Sequence, residues 1–332
     1  MTSSPALSVL LSLTAADALG AATEFKRPSE IRQLFPQGLQ IYQPGSPFGF
    51  APGEATDDSQ MTVATLLGYA SGREGVLPAL LDWVNSGPPD VGGLTRSALG
   101  EARPSGGYTA WLASGRNSAG NGGLMRIAAP FIAGFRGESL LDEAVRVTAL
   151  THADPRCVLA SVFFVAFLEA LERAERYDTA AQEAVERMKG FDAVPVMLGL
   201  KDDAVEDVTD AYRALIPTAS QQVERAIQHG LAGHINSQSG YVLDTLQAAL
   251  AHGRGESWLG CIEPAVLGGD DSDTVACVTG AIVGARGLSV PEHLLPDLRL
   301  GNTWRGWQRD WRCTEHFPAL IEAAERGSRG RV

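Results

Sequence analysis

Apolar side chains recur along this chain at the spacing of an α-helix, and sustained alternation of apolar and polar residues is almost absent. The pattern i, i+3, i+4, i+7 is clearest at Val63, Leu66, Leu67 and Ala70, at Phe164, Phe167, Leu168 and Leu171, and at Val275, Val278, Thr279 and Ile282. Because this spacing places side chains on one face of a helix, it predicts an all-α fold. The best strand candidate is the short segment from Leu39 to Tyr42. Stretches rich in Gly and Pro predict long loops at residues 43–55 and 85–123.

Length and composition favour one compact domain. The 332 residues are 45% hydrophobic and 20% charged, and no linker, composition break or internal repeat divides them, so we expect one domain over residues 1–332. The apolar start, Ala6 to Ala22, has no Lys or Arg before Lys26 and predicts a buried first helix instead of a signal peptide. The stretch Cys157 to Leu171 is apolar nearly all round but too short for a membrane span, so it predicts the central helix of the core. We therefore expect no membrane contact.

The net charge argues against one class of partner. At −12, with an isoelectric point near 5.0, the chain lacks the clustered Lys and Arg of a general nucleic-acid-binding surface, although a few local Arg and backbone N–H groups can hold a small anion. Its four cysteines are widely spaced, without a CxxC pair: Cys157, Cys261, Cys277 and Cys313. This spacing is typical of reduced thiols in a cytoplasmic protein. We expect the chain to act as a monomer.

Two acidic clusters lie more than two hundred residues apart, Thr56-Asp57-Asp58 and Asp270-Asp271-Ser272-Asp273-Thr274. Each follows a stretch containing Gly or Pro and opens an apolar run of helical period, which predicts a helix N-terminus. A helix start supplies only about half a positive charge, too little to offset several carboxylates. Oxygen ligands without Cys or an obligatory His suit Mg²⁺, Mn²⁺ or Ca²⁺. If the clusters meet, they form a metal site, whereas either cluster alone is more often a helix cap than a set of ligands.

A glycine-rich loop, Ser118 to Arg126, is the second candidate element. Three glycines within residues 120–123 permit positive φ and expose backbone N–H groups before a predicted helix, which suits an anion. A dinucleotide-binding motif is excluded because the third glycine is missing and no convincing strand precedes the loop, and the chain contains no G-x-x-x-x-G-K-[ST], H-E-x-x-H or G-x-S-x-G. Further polar elements stand at helix ends, namely Thr151-His152 and Asp17 followed by Glu24. This distribution predicts one convergent pocket.

Together these pieces resemble the ADP-ribosylglycohydrolases of the dinitrogen-reductase-activating class. The matching pieces run in order over about residues 10–290: Asp17 to Gly20 with Glu24, Thr56 to Met61, Gly120 to Arg126, Thr151-His152, Ser239 to Leu246, and Asp271 to Thr274. The ordered set is specific, although one piece alone would mean little. Residues 291–332 lie outside the matching pieces and are predicted as a helical extension, in which Trp304, Trp307 and Trp311 have the spacing of a packed helix face.

The resemblance implies a compact orthogonal helical bundle with a dinuclear metal cleft that holds two divalent cations, Mg²⁺ or Mn²⁺. The metal ligands it implies are Thr56, Asp57, Asp58, Asp271, Asp273 and Thr274. The residues it implies for binding ADP-ribose are Asp17, Ser118, Gly120, Asn121, Gly122, Gly123, Met125, His152 and Tyr241. The catalytic residues it implies are Glu24, Asp58 and Asp271. The chain departs from the family pattern at Ala16, Asp270 and Ser272, none of which removes a ligand, while Asp270 adds a carboxylate.

The implied activity is hydrolysis of the glycosidic bond between ADP-ribose and an acceptor, a reaction that usually needs an acid for the leaving group and a base for water. Two alternatives stay open: a non-catalytic ADP-ribose-binding member of the fold, and a hydrolase of a different small nucleotide conjugate. The acceptor is not encoded in a readable pattern. Its contacts are expected from the cleft rim at residues 43–55, 85–117 and 234–241.

Overall fold

Helices dominate the structure, a computed structural model that describes residues 4–174, 176–200, 209–301 and 311–330. The α-helices in these ranges are α1 (Pro5–Gly20), α2 (Pro28–Leu34), α3 (Asp57–Ala70), α4 (Val76–Asn85), α5 (Gly93–Gly100), α6 (Gly106–Ala113), α7 (Ala128–Ile132), α8 (Gly137–Ala149), α9 (Pro155–Glu172), α10 (Tyr177–Gly190), α11 (Val194–Gly199), α12 (Thr209–Leu231), α13 (Val242–His252), α14 (Trp258–Leu267), α15 (Ser272–Ala285) and α16 (Cys313–Arg329). Two short strands, β1 (Arg299–Leu300) and β2 (Trp311–Arg312), pair antiparallel. The all-α prediction is confirmed.

Helices α1 and α15 pack antiparallel against each other, although they come from distant parts of the chain. Gly284 faces Ser8, and Gly280 faces Ser12, whose hydroxyl donates to the Gly280 carbonyl at 2.6 Å. A Cβ on either glycine would lie 2.7 Å from a backbone oxygen of α1, so a larger residue would push the helices apart. This pairing brings the C-terminal end of α1 to the N-terminal end of α15, which carries the second acidic cluster.

Helix α9 lies at the centre of the core. Its residues from Cys157 to Leu171 are all buried, and it packs against α8, α10, α12, α13 and α15. Asp154 caps its start by accepting a hydrogen bond from the Arg156 N–H at 3.0 Å, and Pro155 occupies the first turn, where no N–H is needed. The buried first helix and the central helix are both confirmed. Among the described residues, no helix has the length and apolar character to cross a bilayer.

The predicted strand from Leu39 to Tyr42 is wrong. Gly38, at φ 86°, turns the chain just before it, and the Leu39 N–H donates to Glu263 Oε1 at 2.9 Å instead of to a neighbouring strand. The predicted loop at residues 43–55 is confirmed, since it contains no helix. It ends in a backbone bridge between Glu54 and Arg299 that fixes the approach to α3.

The predicted loop at residues 85–123 is wrong over much of its length, because it contains α5 and α6. Glycines here stand at the ends of short helices instead of marking irregular chain. Near the C-terminus, Trp311 lies in β2, so the predicted helix through it is also wrong there, and the terminal helix starts only at Cys313. Trp304 and Trp307 lie outside the described residues.

Candidate active site

The two acidic clusters meet at the base of one cleft. Helix α3 contributes its N-cap Thr56 and first-turn Asp57 and Asp58, and helix α15 contributes its N-cap Asp271 with Asp273 and Thr274 in its first turn. Two short contacts join the helices, since Thr56 Oγ1 lies 3.3 Å from Asp273 Oδ2 and Thr274 Oγ1 lies 3.3 Å from Asp58 Oδ2. The sequence predicted a metal site on the condition that the clusters meet, and the structure satisfies it.

Asp17 lies beneath this cluster and holds the start of α3. It is fully buried and accepts hydrogen bonds from the backbone N–H groups of Thr56 and Ser59 and from both hydroxyls, with 2.7 Å to Thr56 Oγ1 and 2.5 Å to Ser59 Oγ. Burial raises the pKa of Asp17 to about 6, and the four donors oppose that rise. Asp17 is not among the residues that line the cleft, and its predicted contact with ADP-ribose stays a prediction. Its position favours a role in fixing the ligand-bearing turn.

The packing of the carboxylates fits a hard cation. Asp58, Asp273 and Glu24 each have one buried side-chain oxygen with no hydrogen-bond partner in the described part of the chain. Burial raises the pKa of all three, and repulsion from nearby carboxylates adds to it, reaching about 11 for Glu24. Asp17, Asp58 and Asp273 each place one oxygen within 4.8 Å of the others. Oxygen ligands so close together repel unless a divalent cation or protons offset their charge, and oxygen ligands suit a hard divalent cation.

Asp90 belongs to the same site but was not predicted. It follows Pro88 and Pro89 in the segment before α5, shares a hydrogen bond with Asp57, and has an oxygen within 4.8 Å of oxygens of Glu24 and Asp273. Burial raises the pKa of Asp90 to about 6. A lone acid in an irregular segment has no periodicity or motif that could reveal it. The sequence placed only the surrounding segment, residues 85–117, at the rim.

The cleft has a volume of about 330 Å³ and opens above the acidic cluster. Among the predicted ligands, Asp57, Asp271, Asp273 and Thr274 line it, while Thr56 and Asp58 lie below its surface. Of the three carboxylates predicted to be catalytic, Glu24 and Asp271 therefore reach the cleft. Asp58 is only 1% exposed and does not.

The glycine-rich loop forms one wall, and Asn121 connects it to the acids. The Asn121 side-chain amide donates to Asp271 Oδ2 at 2.7 Å and to Thr245 Oγ1 at 2.9 Å. Gly120, Asn121, Gly122 and Met125 line the cleft. The backbone N–H of Asn121 donates to the Gly240 carbonyl, and those of Leu124 and Met125 donate to the Asn121 carbonyl. The wall therefore offers fewer free backbone donors to an anion than the glycine content predicts.

His152 packs against this loop. A Cβ on Gly122 would lie 2.8 Å from His152 Cε1, and one on Gly123 would lie 3.2 Å from His152 Cβ, so glycine makes room for the ring at both positions. The ring lines the cleft, and its Nδ1 lies 2.7 Å from Thr151 Oγ1. Burial and the nearby Arg126 lower the pKa of His152 to about 3, so the ring is neutral at physiological pH.

Ser118 and Tyr241 were predicted to bind ADP-ribose, but they lie outside the lining of the cleft. Neither lines the cleft, which is bordered instead by the neighbouring Gly120 and Gly240. The Tyr241 ring faces the Arg156 guanidinium at 5.7 Å and borders a separate groove beside α12 and α13. The predicted contact of Tyr241 with the nucleotide is therefore not seen in this cleft.

An exposed aromatic ring, unpredicted from the sequence, stands at the mouth of the cleft. Phe25 is 63% exposed, has a φ of 57° and makes an edge contact with Phe48 at 6.0 Å. Its N–H donates to the Asp270 carbonyl at 2.6 Å, and the Asp270 N–H donates to the Lys26 carbonyl at 3.0 Å. Asp270 is exposed at the same rim and also has a positive φ, 60°. A positive φ costs a bulky residue about 1–3 kcal/mol, and this conformation persists where surrounding contacts hold it.

Comparisons with known proteins show the family of the chain. The ADP-ribosylglycohydrolase family model matches residues 2–326, further in both directions than the motifs at 10–290. The ADP-ribosylarginine hydrolase Tri1 of Serratia proteamaculans (strain 568) is 28% identical over 292 residues, which cover 83% of this chain and 69% of the relative. The ADP-ribosyl-[dinitrogen reductase] glycohydrolase of Rhodospirillum rubrum is 26% identical over 289 residues, 84% of each chain.

A solved structure described as an ADP-ribosylglycohydrolase-related protein complex shares the fold, with a TM-score of 0.66 and 23% identity over 98% of both chains. The family match spans nearly the whole chain, so it includes most of α16, which the sequence motifs left out. The chain is therefore a member of the ADP-ribosylglycohydrolase family, and it is a hydrolase of the bond between ADP-ribose and an acceptor.

Proposed function

We propose that this hydrolase works with two divalent cations, Mg²⁺ or Mn²⁺, at the base of the cleft and releases ADP-ribose from an acceptor that carries a guanidinium group. The ligands in this proposal are Thr56, Asp57, Asp58, Asp271, Asp273 and Thr274. The observation that supports the cations most strongly is the set of buried carboxylate oxygens of Asp58, Asp273 and Glu24 that have no partner in the described residues. Buried charges of one sign are rarely kept without a counter-charge.

In this proposal the two carboxylates that line the cleft, Glu24 and Asp271, carry out the proton transfers. When bound, the cations supply positive charge that orients the ribose hydroxyls and eases loss of a proton from water. Glu24 lines the cleft and has a free Oε2, and Asp271 lines it with its Oδ2 held by Asn121. An oxocarbenium-like transition state needs one proton donor and one acceptor, and this pair supplies them. We assign Asp58, which lies below, a ligand role without proton transfer.

The glycine wall is the proposed site of the ADP-ribose diphosphate. Gly120 and Gly122 line the cleft and present no side chain, so a ligand can approach the backbone closely, while Gly123 lies behind them against Thr148 and His152. Because several N–H groups of this wall already bond within the protein, His152 is left as a further polar contact at the same wall. A neutral imidazole binds here without acting as an acid or base.

The residues at the cleft rim favour an acceptor that is planar and positively charged. Asp90 and Asp270 carry negative charge at the lining, and the exposed ring of Phe25 stands beside them. A guanidinium stacks on an aromatic face and pairs with carboxylates, which an uncharged serine conjugate does not do. The Serratia relative is by its name an ADP-ribosylarginine hydrolase, which agrees with this choice.

The test is release of ADP-ribose from four conjugates, with Mg²⁺, with Mn²⁺ and with a chelator: ADP-ribosyl-arginine, ADP-ribosyl-serine, an ADP-ribosylated nucleic-acid base and O-acetyl-ADP-ribose. We expect release from the arginine conjugate, lost with chelator and in Asp273→Asn. Glu24→Gln should lower turnover at least about a hundredfold while leaving ADP-ribose affinity nearly unchanged. The control is Asp178→Asn, an exposed acid of α10 that pairs with Arg254.

Three results would each contradict a different part of the proposed function. Binding of ADP-ribose without release from any conjugate would identify a recognition protein. Release from the serine conjugate alone would contradict the acceptor proposal but leave the hydrolase in place. Release that persists in the chelator, with the metal content shown to be negligible, would contradict the cation proposal.

A further inference from the structure

The buried Arg126 makes all its hydrogen bonds to uncharged oxygens. It is fully buried, and it donates to the carbonyl of Gly122, to the Val147 carbonyl at 3.0 Å and to Thr151 Oγ1 at 2.5 Å. It forms no ion pair within the described residues. Burial lowers the pKa of Arg126 to about 9, so the guanidinium is still charged at neutral pH. Burying a charge without an acidic partner is costly, and a structural role for it should therefore be visible in its contacts.

These contacts determine where the proton of His152 sits. A guanidinium has donors only, so Thr151 Oγ1 accepts from Arg126. The Thr151 hydroxyl proton is then available to another acceptor, and His152 Nδ1 lies 2.7 Å away. If Nδ1 carried the ring proton instead, Thr151 Oγ1 would face two donors and its own proton would have no acceptor among the described residues. The arrangement that satisfies both the Thr151 hydroxyl and His152 Nδ1 leaves Nδ1 as an acceptor and puts the ring proton on Nε2.

The Nε2 atom points to the glycine wall. A Cβ on Gly120 would lie 3.4 Å from His152 Nε2, and one on Gly122 would lie 3.1 Å from it, so Nε2 lies between these two residues where the cleft begins. Nε2 has no hydrogen-bond partner in the described part of the chain. A ligand oxygen lying on the glycine wall would therefore meet an N–H group.

We propose that Arg126 and Thr151 are positioning residues that hold His152 as the Nε2–H tautomer, a neutral hydrogen-bond donor to an anionic oxygen of the bound ligand. The inference rests on the proposed function, because the ligand oxygen is that of an ADP-ribose diphosphate. Arg126 also bonds to Gly122, so one guanidinium ties the histidine and the glycine wall together. A neutral donor of fixed direction holds a phosphate oxygen without taking part in proton transfer.

The test is made at Thr151, because Arg126 is too deeply buried for a clean substitution. Thr151→Val removes the hydroxyl and keeps the shape, and Thr151→Ser restores the hydroxyl. The matched control is Thr148→Val, since the Thr148 hydroxyl is buried one turn earlier with no partner in the described residues. The ¹⁵N resonances of the His152 ring are measured in ligand-free protein, with His152→Gln used to assign them among the six histidines. ADP-ribose affinity is measured by calorimetry.

We expect a protonated Nε2 and a hydrogen-bonded, unprotonated Nδ1 in the wild type. In Thr151→Val the Nδ1 resonance should move to that of an unbonded ring nitrogen, and ADP-ribose should bind about tenfold more weakly, as expected for loss of one charge-assisted hydrogen bond. Thr151→Ser should recover both values, and Thr148→Val should change neither. A wild-type proton on Nδ1, or an unchanged Nδ1 resonance or affinity in Thr151→Val, overturns the inference. The ring measurement needs no substrate, so failure of hydrolysis alone would count against the proposed function only.

Discussion

The side-chain amide of Asn121 donates to Asp271 Oδ2 at 2.7 Å, across a separation of 150 positions in the chain. This bond joins the glycine wall to the acidic base of the cleft. The bond also holds one oxygen of the Asp271 carboxylate, which lines the cleft. The orientation of the Asp271 side chain therefore depends on Asn121, a residue outside the acidic clusters.

Removal of this amide should weaken metal binding. Asn121→Ala frees Asp271 to rotate, and loss of such a supporting hydrogen bond typically costs 10- to 100-fold in metal affinity, so we expect Mn²⁺ to bind at least about tenfold more weakly. Titration calorimetry with Mn²⁺ measures the effect. The control is Asn117→Ala, an exposed amide oxygen that accepts from Arg156, and equal affinities in the two variants would contradict the role of Asn121.

The close contact of α1 with α15 predicts a large effect from one methyl group. A Cβ on Gly20 would lie 2.5 Å from Asp273 Cα and 2.8 Å from its backbone N, so Gly20→Ala must shift the turn that carries the ligands. We expect a loss of about 2 kcal/mol in the free energy of unfolding, the usual cost of overpacking, together with weaker Mn²⁺ binding. Urea unfolding followed by circular dichroism measures the stability.

Gly190→Ala serves as its control, because a Cβ there meets nothing within 4 Å. Its stability should equal that of the wild type or exceed it slightly, since Ala favours a helix more than Gly does. If both variants were equally stable, the contact between Gly20 and Asp273 would not be a tight one.

The ring of Phe25 should matter for the acceptor and not for ADP-ribose. Phe25→Asn removes the aromatic face but tolerates the positive φ, so we expect kcat/KM for ADP-ribosyl-arginine to fall about tenfold at unchanged ADP-ribose affinity, as for loss of a cation–π contact of about 1–2 kcal/mol. Leu34→Asn, which removes another exposed apolar side chain outside the cleft lining, should leave kcat/KM unchanged. A parallel loss of ADP-ribose affinity would instead place Phe25 at the nucleotide.

The half-buried His252 predicts that the free energy of unfolding falls at acidic pH. Burial lowers its pKa to about 4 in the fold, from 6.5 when unfolded, and its Nε2 lies 2.9 Å from Gln238 Oε1. Because the folded pKa is the lower one, the unfolded chain binds the proton more tightly, so this stability is present above pH 6.5 and is lost as the pH falls towards 4, by up to about 3 kcal/mol.

His252→Gln keeps a donor towards Gln238 but cannot titrate, so its stability should fall less steeply than that of the wild type between pH 6.5 and 4. Urea unfolding at a series of pH values measures the difference. His316→Gln, at an exposed position of α16, should follow the wild-type curve. Identical slopes for wild type and His252→Gln would show that His252 titrates normally in the fold.

Local patterns in the sequence predicted much of the fold. Helical periodicity identified the buried first helix and α9, and the glycine, acidic and His motifs stood at helix ends as predicted. The errors arose where local signals are ambiguous. Glycines between residues 85 and 123 mark the ends of short helices as well as turns, and the apolar spacing of Leu39 to Tyr42 reflects contacts to distant residues instead of a sheet. Single domain, monomeric state and cytoplasmic location stay predictions.

By itself the sequence determined the helical character, because helical periodicity depends on residues close together in the chain, and it indicated the family through the order of several short motifs along residues 10–290. The tertiary structure brings Asp58 and Asp273 together, as the resemblance implied, and it alone decided that Asp17 supports this site from below, that Asp90 and Phe25 join it, and that Tyr241 faces elsewhere. The physical reason is that these relationships depend on the antiparallel contact of α1 with α15 and on loop paths. Neither of these is written in any local pattern of residues.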